Sequence, residues 1–127
     1  MCEEFGVETE GTALPGIAFG LAGGIGNTGA ACGAVVGAVM ALSLVRGRPQ
    51  SMGDALAELR VPQEFRRRFE AEMGTISCRE LTGLDLTSES GRGDLMNSDV
   101  AQKVCFPAVA TAYRLVSEML KEGRHVE

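Results

Sequence analysis

The longest apolar run in the chain, Ala30 to Val45, follows the glycine-rich stretch GGIGNTG and is bounded on both sides by residues that break helices. Pro15 suits the first turn of a short helix through Leu21, after which the glycines force a loop. Thr28 is then placed to cap a long helix from Gly29 to Val45, which GRP at 47–49 ends. Asp54 to Leu59 reads as a short helix. Pro62 opens another that runs to Met73 and stops at Gly74. Thr75 caps Ile76 to Leu81, with Gly83 closing that turn. The segment DLTSESGRGDLMN, residues 85–97, reads as a polar surface loop with a mobile centre at SGRG. Asp99 starts the last helix, which turns Val104, Ala108, Leu115, Val116, Met119 and Leu120 inward. The expectation is an all-α fold: one domain over residues 1–127, a compact bundle of about five to six helices around a central, buried, Gly/Ala-rich helix.

Composition supports this. Aromatic residues make up 5% of the chain and tryptophan is absent, so Ala, Val, Leu and Met must fill the core, which suits close helix packing better than a β-sandwich. At 127 residues the chain is long enough to bury most of its apolar surface in one core. Gly11 to Val45 contains no charged residue. Glycines and the polar pair Asn27–Thr28 interrupt that interval, which argues for a buried helix over a membrane span.

A net charge of −5 argues against nucleic-acid binding, which draws its affinity from Lys and Arg against phosphates. The one basic cluster, Arg66 to Arg68 in QEFRRRFEAEM, is offset by Glu64, Glu70 and Glu72 and reads as a solvated helix face. The opening MCEEFGVETEG is acidic where a secretory signal is basic. A cytoplasmic setting is expected, with the cysteines as thiols or metal ligands rather than structural disulfides.

GIGNTG at Gly24 to Gly29 satisfies the GxGxxG dinucleotide pattern. It lacks the preceding β-branched strand and the acid about twenty residues on that hold a ribose, and no GK[ST] follows for a phosphate loop. Nucleotide binding is therefore the least favoured reading. The cysteines carry more. Cys32 falls in the first turn of the expected long helix and Cys78 three residues after the cap Thr75. Cys105 lies two before Pro107, at the head of the final apolar segment unless that helix runs through from Asp99. Thiols near helix N-termini tend toward thiolate, the form that attacks disulfides and binds soft metals. Glycines beside them, Gly24, Gly26, Gly29 and Gly33, leave room for a cofactor, a partner or another backbone. Gly33, Gly37 and Ala41 form a small-residue face on the long helix, which in itself means close helix packing.

Three blocks in order, GGIGNTGAACGAVVGAVMALSL, CRELTGLDL at Cys78 to Leu86 and KVCFPAVATAYRLV at Lys103 to Val116, resemble the C-GCAxxG-C-C family of redox-active proteins. The resemblance runs from about Glu3 to Leu120. It implies a small all-helical protein whose shared feature is four separated cysteines. The family's CGAxxG motif is matched by Cys32, Gly33, Ala34 and Gly37, and its later cysteines by Cys78 and Cys105. Cys2 departs from the pattern, since it abuts Glu3 and Glu4 where the family's first cysteine precedes the acidic segment by one or two helical turns. The site implied is one of three cysteines, or of four with Cys2 or another subunit.

Two chemistries fit. Cys2, Cys32, Cys78 and Cys105 ligate an iron–sulfur cluster or zinc, or two of the cysteines cycle between dithiol and disulfide with Cys32 attacking. The chain has no CxxC pair, and its one histidine, His125, stands in the tail EGRHVE, so neither a readable metal motif nor a hydrolytic triad is present. Arg79 and Glu80 beside Cys78 read as an ordinary exposed pair. The third reading is a non-catalytic homodimer packed through the face around Gly33 and Gly37, with the cysteines merely buried. On the redox readings an electron partner is required, and the sequence does not name its class.

Overall fold

A computed structural model of the chain describes residues 13–124. Cys2 and His125 lie outside them. The described residues are helical, with no named strand: α1 (Ala13–Ala18), a 3₁₀ turn (Phe19–Leu21), α2 (Gly33–Arg46), α3 (Met52–Glu58), α4 (Arg60–Met73), α5 (Cys78–Thr82), α6 (Glu89–Asn97), a π-helical turn (Ala101–Cys105) and α7 (Phe106–Arg124). The all-α expectation holds, and the central Gly/Ala-rich helix is α2.

The core lies where α2, α4 and α7 meet. Val35, Ala38 and Leu42 of α2 recur at helical spacing, as do Ala108, Ala112, Leu115, Val116 and Leu120 of α7, and Phe65 and Phe69 of α4 close the cluster. Small residues on α2 leave the volume that these two phenylalanines fill.

Several boundaries follow the sequence signals. α3 begins at Met52, two residues before the expected Asp54, because Ser51 caps it by accepting the Asp54 N–H at 3.1 Å. Gly47 and Gly74 end α2 and α4 in positive-φ conformations. Pro62 stands in the first turn of α4, which begins two residues earlier at Arg60, because a first-turn position needs no N–H donor. The basic cluster is a solvated face as expected. Arg66 pairs with Glu70 and Arg67 with Glu64, while Arg68 bridges Glu64 and Glu122 of α7, each at 2.9 Å. The two guanidiniums hold the Glu64 carboxyl down to about 2.

Two of these elements differ from expectation. The long helix starts at Gly33, not Gly29, and Thr28 does not cap it; its hydroxyl donates back to the Gly24 and Ile25 carbonyls at 2.8 and 2.7 Å. Residues 85–97 are not a loop with a mobile centre, since SGRG lies inside α6. Ser88 caps that helix by accepting the Gly91 N–H at 2.9 Å. Gly91 is buried against the Asp85 carbonyl, and Arg92 donates to the Leu86 and Thr87 carbonyls. Side-chain bonds to the local backbone form this helix where periodic apolar residues are lacking. The last helix starts beside Asp99 as expected and runs through Cys105 into α7, the second of the two placements open for Cys105. Pro107 has no N–H to give and its ring would strike the carbonyl four residues back, and the chain widens there to a π turn, with the Phe106 N–H bonded to the Ala101 carbonyl.

Candidate functional site

Between the 3₁₀ turn and α2 the backbone turns left-handed. Gly23, Gly24, Ile25, Gly26 and Asn27 all have φ between 60° and 70°, and Gly29 has 73°. Glycine enters this region freely, and asparagine tolerates it. Ile25 is the exception: a β-branched residue at φ 63° is strained by about 1–3 kcal/mol. Its side chain is 52% exposed, so burial does not repay the strain. Ile25→Gly is therefore expected to raise the unfolding free energy by about 1 kcal/mol, the relieved strain exceeding the extra entropy of glycine in the unfolded chain. A higher urea midpoint at unchanged slope checks it.

The left-handed turn delivers the chain to a short antiparallel bridge, Ala31 opposite Ser77. The Cys32 N–H donates to the Ile76 carbonyl at 2.6 Å and the Cys78 N–H to the Ala30 carbonyl at 2.7 Å. This bridge ties the head of α2 to the head of α5 and sets both cysteines on the face opposite Ala31 and Ser77. Cys32 is the residue before α2, not in its first turn; its carbonyl accepts the Val35 and Val36 N–H groups. Ser77, not Thr75, caps α5 by accepting the Glu80 N–H. Thr75 instead accepts the Ser77 N–H and donates to Glu80.

Cys105 reaches the same place from the π turn. Cys32, Cys78 and Cys105, all free thiols, line one cavity of about 200 Å³ whose walls include Gly24, Gly33, Leu86 and Val104. The lining has no charged residue. Its one hydroxyl, Thr82, donates to the Cys78 carbonyl at 2.8 Å. Of the four glycines singled out from sequence, Gly24 and Gly33 line the cavity. A Cβ on Gly33 would stand 3.0 Å from the Leu21 carbonyl, so its smallness serves the approach of the 3₁₀ turn. Gly26 meets nothing within 4 Å, and Gly29 abuts Arg79. Neither lines the cavity, and neither do the exposed Arg79 and Glu80.

The family model described as "Putative redox-active protein (C_GCAxxG_C_C)" matches residues 1–119. The chain belongs to this family. No curated protein and no solved structure matches it.

In this family member the electrostatics of Cys78 and Cys105 differ from the helix-terminus expectation. Burial, then the charges of Cys32 and Cys105, push the Cys78 thiol up; burial, then Cys32, pushes Cys105 up. The amides that would have favoured thiolate at the head of α5 are engaged elsewhere, the Cys78 and Arg79 N–H groups by Ala30 and Gly29 and the Glu80 N–H by Ser77. Cys105 lies inside a continuous helical segment with no free N-terminus beside it. Burial thus opposes ionisation of Cys78 and Cys105, and a cation in the cavity would favour it.

Among the described residues no three Cys, His, Asp or Glu side chains already stand as a metal cage. The dinucleotide reading lacks its frame, since the described residues contain an isolated bridge and no βαβ unit. The convergence of Cys105 with the other two was the part of the site that cysteine spacing alone did not reveal.

Proposed function

We propose that the protein is redox-active at this cavity, with Cys32, Cys78 and Cys105 working together as ligands of an iron–sulfur cluster. The observation that carries the reading is that the three described cysteines, from three separate elements, line one uncharged cavity. Soft thiolate donors in an apolar surround suit iron–sulfur or zinc. A bound metal supplies the positive charge that the cavity lacks, removing the thiol protons against the effect of burial. Held by Cys32, Cys78 and Cys105, a cluster would supply single-electron exchange with a redox partner. Gly24 and Gly33 leave the wall without side chains at that place, and Cys2 is the candidate fourth ligand. The reducing cytoplasm is the proposed setting.

A second reading has its own support. Without a preformed cage, Cys32 and Cys78 can serve as a dithiol that yields two protons and two electrons to an accepting partner as their sulfurs bond. They stand as diagonal neighbours across the Ala31–Ser77 bridge, a spacing of about 7–8 Å in such ladders.

The test is the iron, zinc and acid-labile sulfide content of protein purified without oxygen, beside Cys32→Ser, Cys78→Ser and Cys105→Ser. Near-stoichiometric iron and sulfide, lost in each variant, is the expected result. Metal-free protein with a reversible Cys32–Cys78 couple establishes the dithiol instead, and zinc alone a structural site. Variants that leave spectra, thiol reactivity and metal content unchanged end the redox assignment and leave a non-catalytic helical homodimer with structural cysteines.

A further inference from the structure

The cysteine cavity offers an entering molecule little besides carbon and sulfur. Among the described residues its lining contains no charged side chain, and Leu81, Leu86, Leu95, Val104 and Val109 face it beside the thiols. The Thr82 hydroxyl is engaged twice, donating to the Cys78 carbonyl at 2.8 Å and accepting the Leu84 N–H at 3.2 Å. The Gly24 carbonyl accepts the Ala30 N–H and the Thr28 hydroxyl, and the Cys32 and Cys78 N–H groups go to the Ile76 and Ala30 carbonyls. The head of α2 borders the cavity at Gly33 and Ala34, but the pull of a helix end on an anion is weak beside the cost of taking an ion out of water. Size sets the other limit. An apolar cavity of about 150 Å³ takes up benzene. This one holds about 200 Å³.

We infer that the cavity is a binding site for small, uncharged, apolar sulfur electrophiles, disulfides and their analogues, and that its lining turns away ions of either sign. An uncharged apolar molecule gains by leaving water for this lining, whereas an ion loses its hydration and finds no partner to replace it. Cys32 and Cys105, both half-buried, are the groups that meet it. The thiol gives its proton to water and its sulfur attacks. A new sulfur–sulfur bond forms as the electrophile's own bond breaks, and the leaving group departs with the electron pair. The cysteine sulfur is oxidised and the leaving sulfur reduced. Large charged disulfides are thereby kept from these thiols. The inference rests on the redox reading only in taking the thiols as the working groups, and it assumes no cluster.

Three methanethiosulfonates of different charge test this on the reduced full-length chain, purified with a chelator present. One carries an uncharged butyl group, one an anionic sulfonatoethyl group and one a cationic trimethylammonioethyl group. Peptide mass spectrometry follows Cys32 and Cys105, and each rate is divided by that of the same cysteine with the same reagent in the urea-unfolded chain. The normalised rate of the butyl reagent is expected to exceed that of either ion at least about a hundredfold. Benzene, which fits the cavity and does not react, is expected to slow the butyl label at both cysteines.

Equal normalised rates overturn the proposal, and so does a folded chain that none of the three reagents labels. Discrimination against the anion alone assigns the effect to the net charge of −5, and against the cation alone to the head of α2. Either result overturns the proposal by removing the lining as the cause. Butyl labelling indifferent to benzene overturns it as well, since the reaction then proceeds without occupancy of the cavity. Iron and sulfide content decide the cluster separately from all of these outcomes.

Discussion

Replacing Gly24 with alanine is expected to lower the unfolding free energy by about 2–5 kcal/mol, against about 1–2 kcal/mol for Gly26→Ala. Both glycines are left-handed, with φ of 70° and 60°, and both variants bear the conformational penalty of an L side chain there. They differ in surroundings. A Cβ on Gly24 would stand 2.6 and 2.7 Å from the Ala30 amide nitrogen and carbonyl oxygen and 2.7 Å from the Cys78 Cβ, whereas one on Gly26 meets nothing within 4 Å. The Ala30 backbone cannot yield freely, since its N–H is held by the Gly24 carbonyl and its carbonyl by the Cys78 N–H. The clash therefore falls on the bridge that positions Cys78. Against a total stability of about 5–15 kcal/mol, the upper end leaves little folded protein at physiological temperature. Urea unfolding of the two variants side by side checks it; equal losses would mean that the loop and Cys78 separate without cost.

The same loop shows where sequence reasoning stopped. The helices are legible because their ends are marked by Gly47, Gly74 and Gly83, and their inward faces by periodic apolar residues. The start of α2 was misplaced by four residues because Thr28 has the chemistry of a cap. Its hydroxyl turns back onto the Gly24 and Ile25 carbonyls, an outcome set by consecutive positive-φ residues, one of them an isoleucine that no propensity places there. α6 was missed because its stabilising bonds run from Ser88 and Arg92 to backbone. Periodicity does not register such bonds. The roles of Cys32 and Cys78 as neighbours rest on a single bridge, and that of Cys105 on a π turn forced by Pro107. Both are tertiary facts with no local pattern beyond the proline itself. The Cys78 thiol is pushed up rather than down for a related reason: the amides at the head of α5 go to the bridge and the Ser77 cap, which the charge of a helix end does not reveal.

Phe65→Ala is expected to be the most damaging core substitution, lowering stability by about 3–5 kcal/mol. Phe65 is fully buried and stacks on Phe69 with centroids 6.1 Å apart, between the helices that follow Cys32 and Cys105. Truncating it leaves a cavity that α2 and α7 can collapse into only by moving toward α4. Phe19→Ala, at a residue 81% exposed, is the matched control and is expected to change stability by less than about 0.5 kcal/mol. Denaturant unfolding measures both, and thiol labelling carries the comparison to the site. Cys78 is 8% exposed. If only global unfolding bares it, its labelling in Phe65→Ala accelerates by the same factor as the unfolding equilibrium, roughly two to three and a half decades for that loss at about 1.4 kcal/mol per decade. A labelling rate that does not move while stability falls would mean that the cavity opens locally, through the left-handed turn and the bridge, with the three-helix core intact. The cysteine cavity would then be a separately opening unit, able to admit a ligand or partner without unfolding the bundle that holds it.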